Sequence, residues 1–325
     1  MKAILCETLG PPSNLKFKEV PDLKPGPKEI VISVKACAIN FPDTLIIQGK
    51  YQMKPELPFS PGSDISGVVK DVGTEVSKFK IGDEVFGVVP FGGMAELALA
   101  KTTHIFPKPP GMPYSIAASF LYAYGTSLHA LKDRAQLQAG ETIVIMGASG
   151  GVGLAALDLA KQMGARVIAC ASTDEKLSLC KKYGADEVIN YTTEDLKNRI
   201  KELTGGKGAD VIYDPVGGNY SEAALRATAW SGRYLVIGFA AGSIPKIPLN
   251  LTLLKGCQIV GVFWGRFTKE TPDKNLANSL QIMQWFNEGK ITPHIHKKYG
   301  LENAPQALQE MMDRKVIGKV ILEIP

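Results

Sequence analysis

No stretch of this sequence approaches the roughly 20 consecutive apolar residues of a membrane-spanning helix, so no membrane partner is expected. Met1–Glu7 reaches an acid before any apolar core of signal-peptide length, which makes a cytoplasmic protein the expectation. Cysteine is scarce: Cys6, Cys37, Cys170, Cys180 and Cys257 include no pair at metal-ligand spacing, and their odd number argues against a disulfide framework. Of the four histidines, only His294 and His296 lie close together, and no third ligand is spaced to join them, so no metal is expected there. A basic stripe is also missing. The formal charge of +5 comes from lysines interleaved with acids, which suits solubility and anionic ligands better than nucleic acid. With 45% hydrophobic and 21% charged residues, the composition is that of a globular chain, and 325 residues allow two domains.

What is present concentrates between Gly140 and Lys176, GETIVIMGASGGVGLAALDLAKQMGARVIACASTDEK. Thr142–Met146 is a short β-branched run, as expected of a parallel strand buried on both faces. The turn Gly147-Ala148-Ser149-Gly150-Gly151-Val152-Gly153 follows, then a predicted helix from Leu154 to Met163 and a second strand from Arg166 to Ala171. The helix start directs unpaired N–H groups and its positive dipole end at the turn, which suits a pyrophosphate. The register Ala148-x-Gly150-x-x-Gly153 matches the dinucleotide fingerprint with alanine in the first glycine place. A glycine turn serving only strand-to-helix packing is the competing reading.

Residues 1 to about 120 read as predominantly β, with strands expected at Glu29–Ala38, Ile65–Asp71, Glu84–Val89 and Met94–Ala100 between Pro- and Gly-rich joints. From Tyr114 to Asp133 the spacing becomes helical. Further strands are predicted at Asp186–Ile189, Asp210–Asp214, Arg233–Gly238 and Gln258–Phe263, with helices at Glu194–Leu203 and Tyr220–Trp230. Six strands alternating with helices imply an α/β doubly wound parallel sheet. The tail holds predicted helices at Asn275–Glu288 and Ala304–Arg314 and a strand at Lys319–Ile324, and is expected to complete the N-terminal β domain.

The opening MKAILCETLG, the segments AINFPDTLIIQGKYQ, PFSPGSDISGVV, YGTSLHAL, GADEVINY and DPVGG, and the closing GKVILEIP span nearly the whole chain. Together with the glycine turn they resemble the zinc-free, zeta-crystallin-type quinone oxidoreductase branch of the medium-chain dehydrogenase/reductase superfamily. NLTLLKGCQIVGVFWGRF resembles a quinone oxidoreductase-like subgroup within it. The resemblance implies a GroES-like β-rich catalytic domain from residues 1–121 and 264–325, a Rossmann domain from 122–263, and a homodimer. Zinc-dependent members carry a cysteine and a Gly-His-Glu where this chain has Asn40 and Gly62-Ser63-Asp64, and their four-cysteine lobe is absent. A zinc-independent reductase is therefore expected. Its acceptor would be a quinone or, alternatively, an enone or alkenal double bond, because a conjugated acceptor spreads developing charge without a Lewis acid.

The second strand of the fingerprint ends Ala171-Ser172, where an NAD site would place an acid that repels a 2′-phosphate. This favours NADPH, and the resemblance adds Lys176, Tyr191 and Arg314 as phosphate contacts. It also nominates Asn40, Asp43, Tyr51 and Thr126 around the nicotinamide, with Tyr51 offering a phenol near the acceptor and Asp43 more plausibly fixing a loop. Packing of Tyr51 on Pro55 and Pro58 is the competing reading. Gly238, Phe239, Phe263 and Trp264 would run beside the nicotinamide, and Phe91, Trp264 and Phe267 would form an aromatic wall for a flat acceptor, unless Phe263 or Trp264 is core. Many relatives carry a second tyrosine where this chain has Leu45. That departure motivates a last alternative, a non-enzymatic NADPH-binding structural or RNA-associated protein.

Overall fold

The computed structural model describes residues 1–325, which divide into two compact units: Met1–Tyr122 with Pro293–Pro325, and Ala123–Thr292. The first unit opens with a hairpin of β1 (Lys2–Leu5) and β2 (Lys16–Glu19), then the long β3 (Glu29–Ile39) and the short helix α1 (Phe41–Ile46). Next come β4 (Asp64–Val72), β5 (Glu84–Val88), β6 (Leu97–Lys101), β7 (Ile105–Pro107) and α2 (Tyr114–Ala118).

The chain passes through α3 (Leu121–Leu128) into the second unit and alternates strand and helix: β8 (Thr142–Met146), α4 (Gly151–Gln162), β9 (Arg166–Ala171), α5 (Asp174–Lys182), β10 (Glu187–Asn190), α6 (Leu196–Leu203), β11 (Ala209–Asp214), α7 (Tyr220–Arg226) and β12 (Thr228–Val236). It continues through α8 (Asn250–Lys255), β13 (Gln258–Gly261), α9 (Trp264–Glu270) and α10 (Pro272–Asn287), and returns to the first unit as β14 (Ile295–Gly300), α11 (Ala304–Met312) and β15 (Lys319–Glu323).

The second unit is a six-stranded sheet in the order β10-β9-β8-β11-β12-β13, every pair parallel. Ile143–Met146 of β8 are fully buried, as a strand covered on both faces requires. The order reverses between β8 and β11, where open α/β sheets bind ligands. In the first unit, β3 pairs with β4 along its length, with β6 through its first half and with β15 through its second half. That second half carries the chain to Asn40.

Two expectations are corrected. The helix expected at Tyr220–Trp230 ends at Arg226, and residues from Thr228 join the sheet, so Trp230 is a strand residue. The second break between units falls at Thr292/Pro293 instead of 263/264, because α9 and α10 pack with the second unit and only the last 33 residues complete the first.

Candidate functional site

In the second unit, the turn after β8 is built around two close approaches. A Cβ on Gly153 would lie 2.3 Å from the Gly147 carbonyl oxygen, so only glycine allows the first turn of α4 to press against the strand end. Gly147 itself has φ +57°, and a Cβ there would meet Val216 at 2.8 Å. A Cβ on Gly150, the N-cap of α4, would find only the Gly147 oxygen at 3.4 Å. The surface in front of the Gly151 and Val152 N–H groups is therefore open to an anion. The Ala148 N–H is already held by the Cys170 carbonyl at 3.0 Å, and Ser149 is buried beside it.

Neighbouring segments converge on this turn. Ser127 donates to the Val152 carbonyl at 2.9 Å and therefore accepts from the Tyr213 hydroxyl at 2.9 Å, which brings the adjacent, buried Thr126 to the start of α4. Gly238 and Phe239 follow β12, and a Cβ on Gly217 would touch the Phe239 ring at 2.8 Å. The strand ends after β8, β11 and β12 thus pack side by side.

At the tip of β9, Ser172 accepts from the Lys176 ammonium at 3.4 Å. The nearest acid, Asp174, is the first residue of α5, and its carboxylate accepts from the Asn190 amide at 2.9 Å. Tyr191 follows β10 and stacks at a tilt on Tyr220, with ring centroids 4.5 Å apart. The tip therefore presents a hydroxyl and an ammonium, its nearest carboxylate being engaged by Asn190, a set that fits a phosphorylated ribose.

In the first unit, Asn40, Asp43, Asp64 and Lys319 form a buried polar cluster. Asp43 sits in the first turn of α1, accepting from the Asn40 backbone N–H at 2.7 Å and the Gly62 N–H at 3.3 Å. The Lys319 ammonium donates to Asn40 Oδ1 at 2.5 Å and lies 3.4 Å from Asp64 Oδ2, and the Asn40 side chain also hydrogen-bonds the Asp64 carboxyl. Burial pushes the Asp43 carboxyl up to about 6 against the opposing pull of its backbone donors and Lys319. Burial likewise pushes Asp64 up to about 7, opposed chiefly by Lys319.

Tyr51 packs on the edge of the first unit's core and hydrogen-bonds Tyr122. Burial raises the Tyr122 phenol well above its usual range, helped by Tyr51 and by the fields of Asp43 and Asp64. Tyr122, Asp64 and Lys319 were not among the residues sequence reasoning singled out as functional. A second phenol is thus present, from α3 and not from the position of Leu45.

The remaining candidates are dispersed. Phe91 is exposed and meets Phe59 edge-on in the first unit, and Arg314, at φ +60°, lies exposed just beyond α11. In the second unit Phe267 stacks on His129 with centroids 3.8 Å apart. Trp264 is 9% exposed, donates to Asn275 at 3.2 Å and covers Gly125, where a Cβ would meet its indole at 2.9 Å, whereas Phe263 is 52% exposed. Of these two neighbours the indole is the core residue and the phenyl ring the free one.

Residues 26–110 match the family described as alcohol dehydrogenase GroES-like domain, and residues 151–281 match the one described as zinc-binding dehydrogenase. The chain is 40% identical to the quinone oxidoreductase-like protein 2 homolog of Nematostella vectensis, over 99% of this chain and 88% of that protein. The chain belongs to the quinone oxidoreductase branch of the medium-chain dehydrogenase/reductase superfamily. Among solved structures, Escherichia coli quinone oxidoreductase complexed with NADPH superposes with a TM-score of 0.93 at 28% identity, covering 99% of this chain and 100% of that one. The enoyl reductase CurK superposes with a TM-score of 0.91 at 25% identity, covering 100% and 99%.

The superfamily's zinc and dinucleotide sites can each be tested against these residues. Around Asn40 the donors are a carboxamide, two carboxylates that burial drives toward the neutral form, and the Cys37 thiol, which burial keeps protonated. An ammonium already lies among them. That set does not fit a divalent cation, which needs deprotonated ligands and no competing charge. The glycine turn and the tip of β9 do fit a phosphorylated dinucleotide, with an open helix start for the pyrophosphate and Ser172 and Lys176 for the ribose phosphate.

Proposed function

We propose that this protein is a zinc-independent, NADPH-dependent reductase of quinones. The observation that carries this reading is the pairing of Ser172 with Lys176 at a strand tip that ends without an acid, beside an open glycine turn. The N-terminal N–H groups of α4 would receive the pyrophosphate, and Lys176, Ser172 and Tyr191 the 2′-phosphate. Bound, the nicotinamide supplies a hydride, and the chain's own side chains do the rest. The Tyr122 phenol donates to Tyr51, whose own hydroxyl proton can then be donated toward charge developing on an acceptor oxygen, and the raised carboxyl of Asp64 holds a proton within the buried cluster. Asp43 is committed to backbone donors and fixes the loop that carries Asn40. Phe91 in the first unit and Phe263 in the second are each exposed aromatic faces.

Reduction of an enone double bond is the second reading, favoured by the likeness to an enoyl reductase. Either acceptor delocalises the incoming charge, so neither needs a metal. A cytoplasmic homodimer completes the proposal, supported by the apolar free edge of the parallel sheet around β13.

One experiment tests the reading: NADPH and NADH consumption across a panel of quinones and enones, with and without exhaustive chelation, for the wild type and Lys176→Ala. Chelation is expected to leave the rate unchanged, and Lys176→Ala to remove most of a tenfold or larger preference for NADPH. Loss of activity that only zinc restores, or equal use of both cofactors by the wild type, would contradict it.

A further inference from the structure

The acid closest in sequence to Ser172 is Asp174, exposed at the first position of α5. A negative side chain in the first turn stabilises a helix through its dipole by about 0.3–1 kcal/mol, which suits an aspartate to that place. The same carboxylate, turned toward Ser172 and Lys176, would repel a 2′-phosphate and accept from the hydroxyls of an unphosphorylated ribose. It is instead held by the neighbouring strand. Asn190, the last residue of β10, is 9% exposed, and its Nδ2 donates to Asp174 Oδ1 at 2.9 Å. Asn190 Oδ1 accepts from the Thr192 backbone N–H at 3.2 Å and from the Thr192 hydroxyl at 2.6 Å. A carboxylate only accepts and a backbone N–H only donates, so both partners fix the carboxamide in one orientation. The main chain around it is equally bound. The Asn190 N–H donates to Glu194 Oε1 at 2.7 Å, and the Asn190 carbonyl accepts from the Thr193 and Glu194 N–H groups at 3.1 and 2.9 Å. The Tyr191 N–H donates to the Ala171 carbonyl at 3.2 Å, and the Thr192 hydroxyl lies 3.2 Å from the Ser172 carbonyl oxygen, so the tips of β9 and β10 are joined around Ser172.

We propose that Asn190 is a positioning residue that sets cofactor choice, its carboxamide holding the Asp174 carboxylate at the tip of β10 and away from a phosphate bound by Ser172 and Lys176. The proposal rests on the NADPH reading above and extends it to a residue with no cofactor contact of its own. It differs from a structural link between α5 and β10 in a measurable way. NADPH and NADH are the same molecule except at the 2′ position, so a link that only kept the pocket in shape would serve both alike. A restraint on one carboxylate serves the phosphorylated cofactor alone, because only that cofactor brings a second negative charge to the strand tip.

The test compares the wild type, Asn190→Leu, Asp174→Asn and the double variant Asn190→Leu/Asp174→Asn. For each, the dissociation constants of NADPH and NADH are measured by fluorescence titration, together with thermal unfolding. Asn190→Leu is expected to weaken NADPH about tenfold and NADH less than about threefold, since only the phosphate meets the released carboxylate. Asp174→Asn alone is expected to change neither constant by more than about threefold, and in the double variant to return NADPH to within about threefold of the wild type. An Asn190→Leu variant that keeps the wild-type ratio of the two constants, or a loss of NADPH affinity that Asp174→Asn does not restore, overturns the proposal, because the asparagine would then be only a structural link. Should Asn190→Leu not fold, Asp174→Glu carries the test from an exposed first-turn position that suits either acid. Its carboxylate stands one methylene beyond the reach set by Asn190, so it must lower the preference for NADPH by about fivefold or more, and an unchanged preference overturns the proposal. A wild type that binds the two cofactors equally refutes the NADPH reading itself, and the role of Asn190 falls with it.

Discussion

At the scale of single residues, the two buried carboxyls of the first unit make stability depend on pH in an unusual direction. Burial lifts Asp43 to about 6 and Asp64 to about 7, whereas in an unfolded chain both ionise near pH 4. Between pH 4 and these values the native state holds protons that the unfolded state has released. Stability contributed by these groups is therefore greatest on the acid side and falls as pH rises, by at most about 1.4 kcal/mol per pH unit for each. Asp64→Asn is expected to flatten the dependence between pH 5 and pH 7, measured as urea unfolding free energy; an unchanged slope would mean that Asp64 is ionised throughout. Asn40 and Asp43 were legible in the sequence through resemblance, but Asp64 was read only as a missing zinc ligand and Lys319 only as the start of a strand. No local pattern records a pair 255 residues apart, so only the strand registers reveal it.

At the scale of elements, the unit running from β8 through α4 to β9 was readable because its determinants are local: a β-branched run, a glycine turn and a helix within about 30 residues. The end of α7 was misread because the apolar Ala227–Trp230 continues the helical spacing, while tertiary pairing with β11 draws the residues from Thr228 into the sheet. Two glycines of the turn should separate packing from binding. A methyl group at Gly153 would press to 2.3 Å from a carbonyl oxygen and 2.8 Å from the Ala148 backbone, so Gly153→Ala is expected to destabilise by about 1–3 kcal/mol and to abolish NADPH binding. Gly150 has φ −78°, which alanine accepts, and meets nothing closer than 3.4 Å. Gly150→Ala should leave urea unfolding within about 0.5 kcal/mol of wild type while weakening NADPH at least tenfold, since the methyl enters the space left for the pyrophosphate. Equal effects of the two substitutions on stability would show that the turn is not built as described.

At the scale of the whole molecule, the question is how the free edge of the second unit's sheet is managed. β13 is the last strand, with only β12 beside it, and around it Trp230, Leu249, Leu253 and Leu254 are 76%, 78%, 79% and 67% exposed. Trp230 covers Gly256, where a Cβ would meet its ring at 2.7 Å, so the tryptophan, the end of α8 and the start of β13 form one apolar surface. An unprotected strand edge flanked by large apolar side chains is a template for another chain, and soluble proteins rarely leave one uncovered. A second copy related by a two-fold axis would place the two β13 edges antiparallel and bring each Leu253 and Leu254 against the same surface of its partner, closing the assembly at two copies. The sequence implied a homodimer by resemblance alone, because exposure of a leucine cannot be read from its neighbours in the chain. Light scattering should therefore give a mass near twice the 35.0 kDa of one chain. Leu253→Glu with Leu254→Lys should bring the mass down toward that of one chain at micromolar concentration, with each unit still folded by circular dichroism. A wild type that runs as a single chain at high concentration would leave this edge to some other partner and remove the dimer from the proposal.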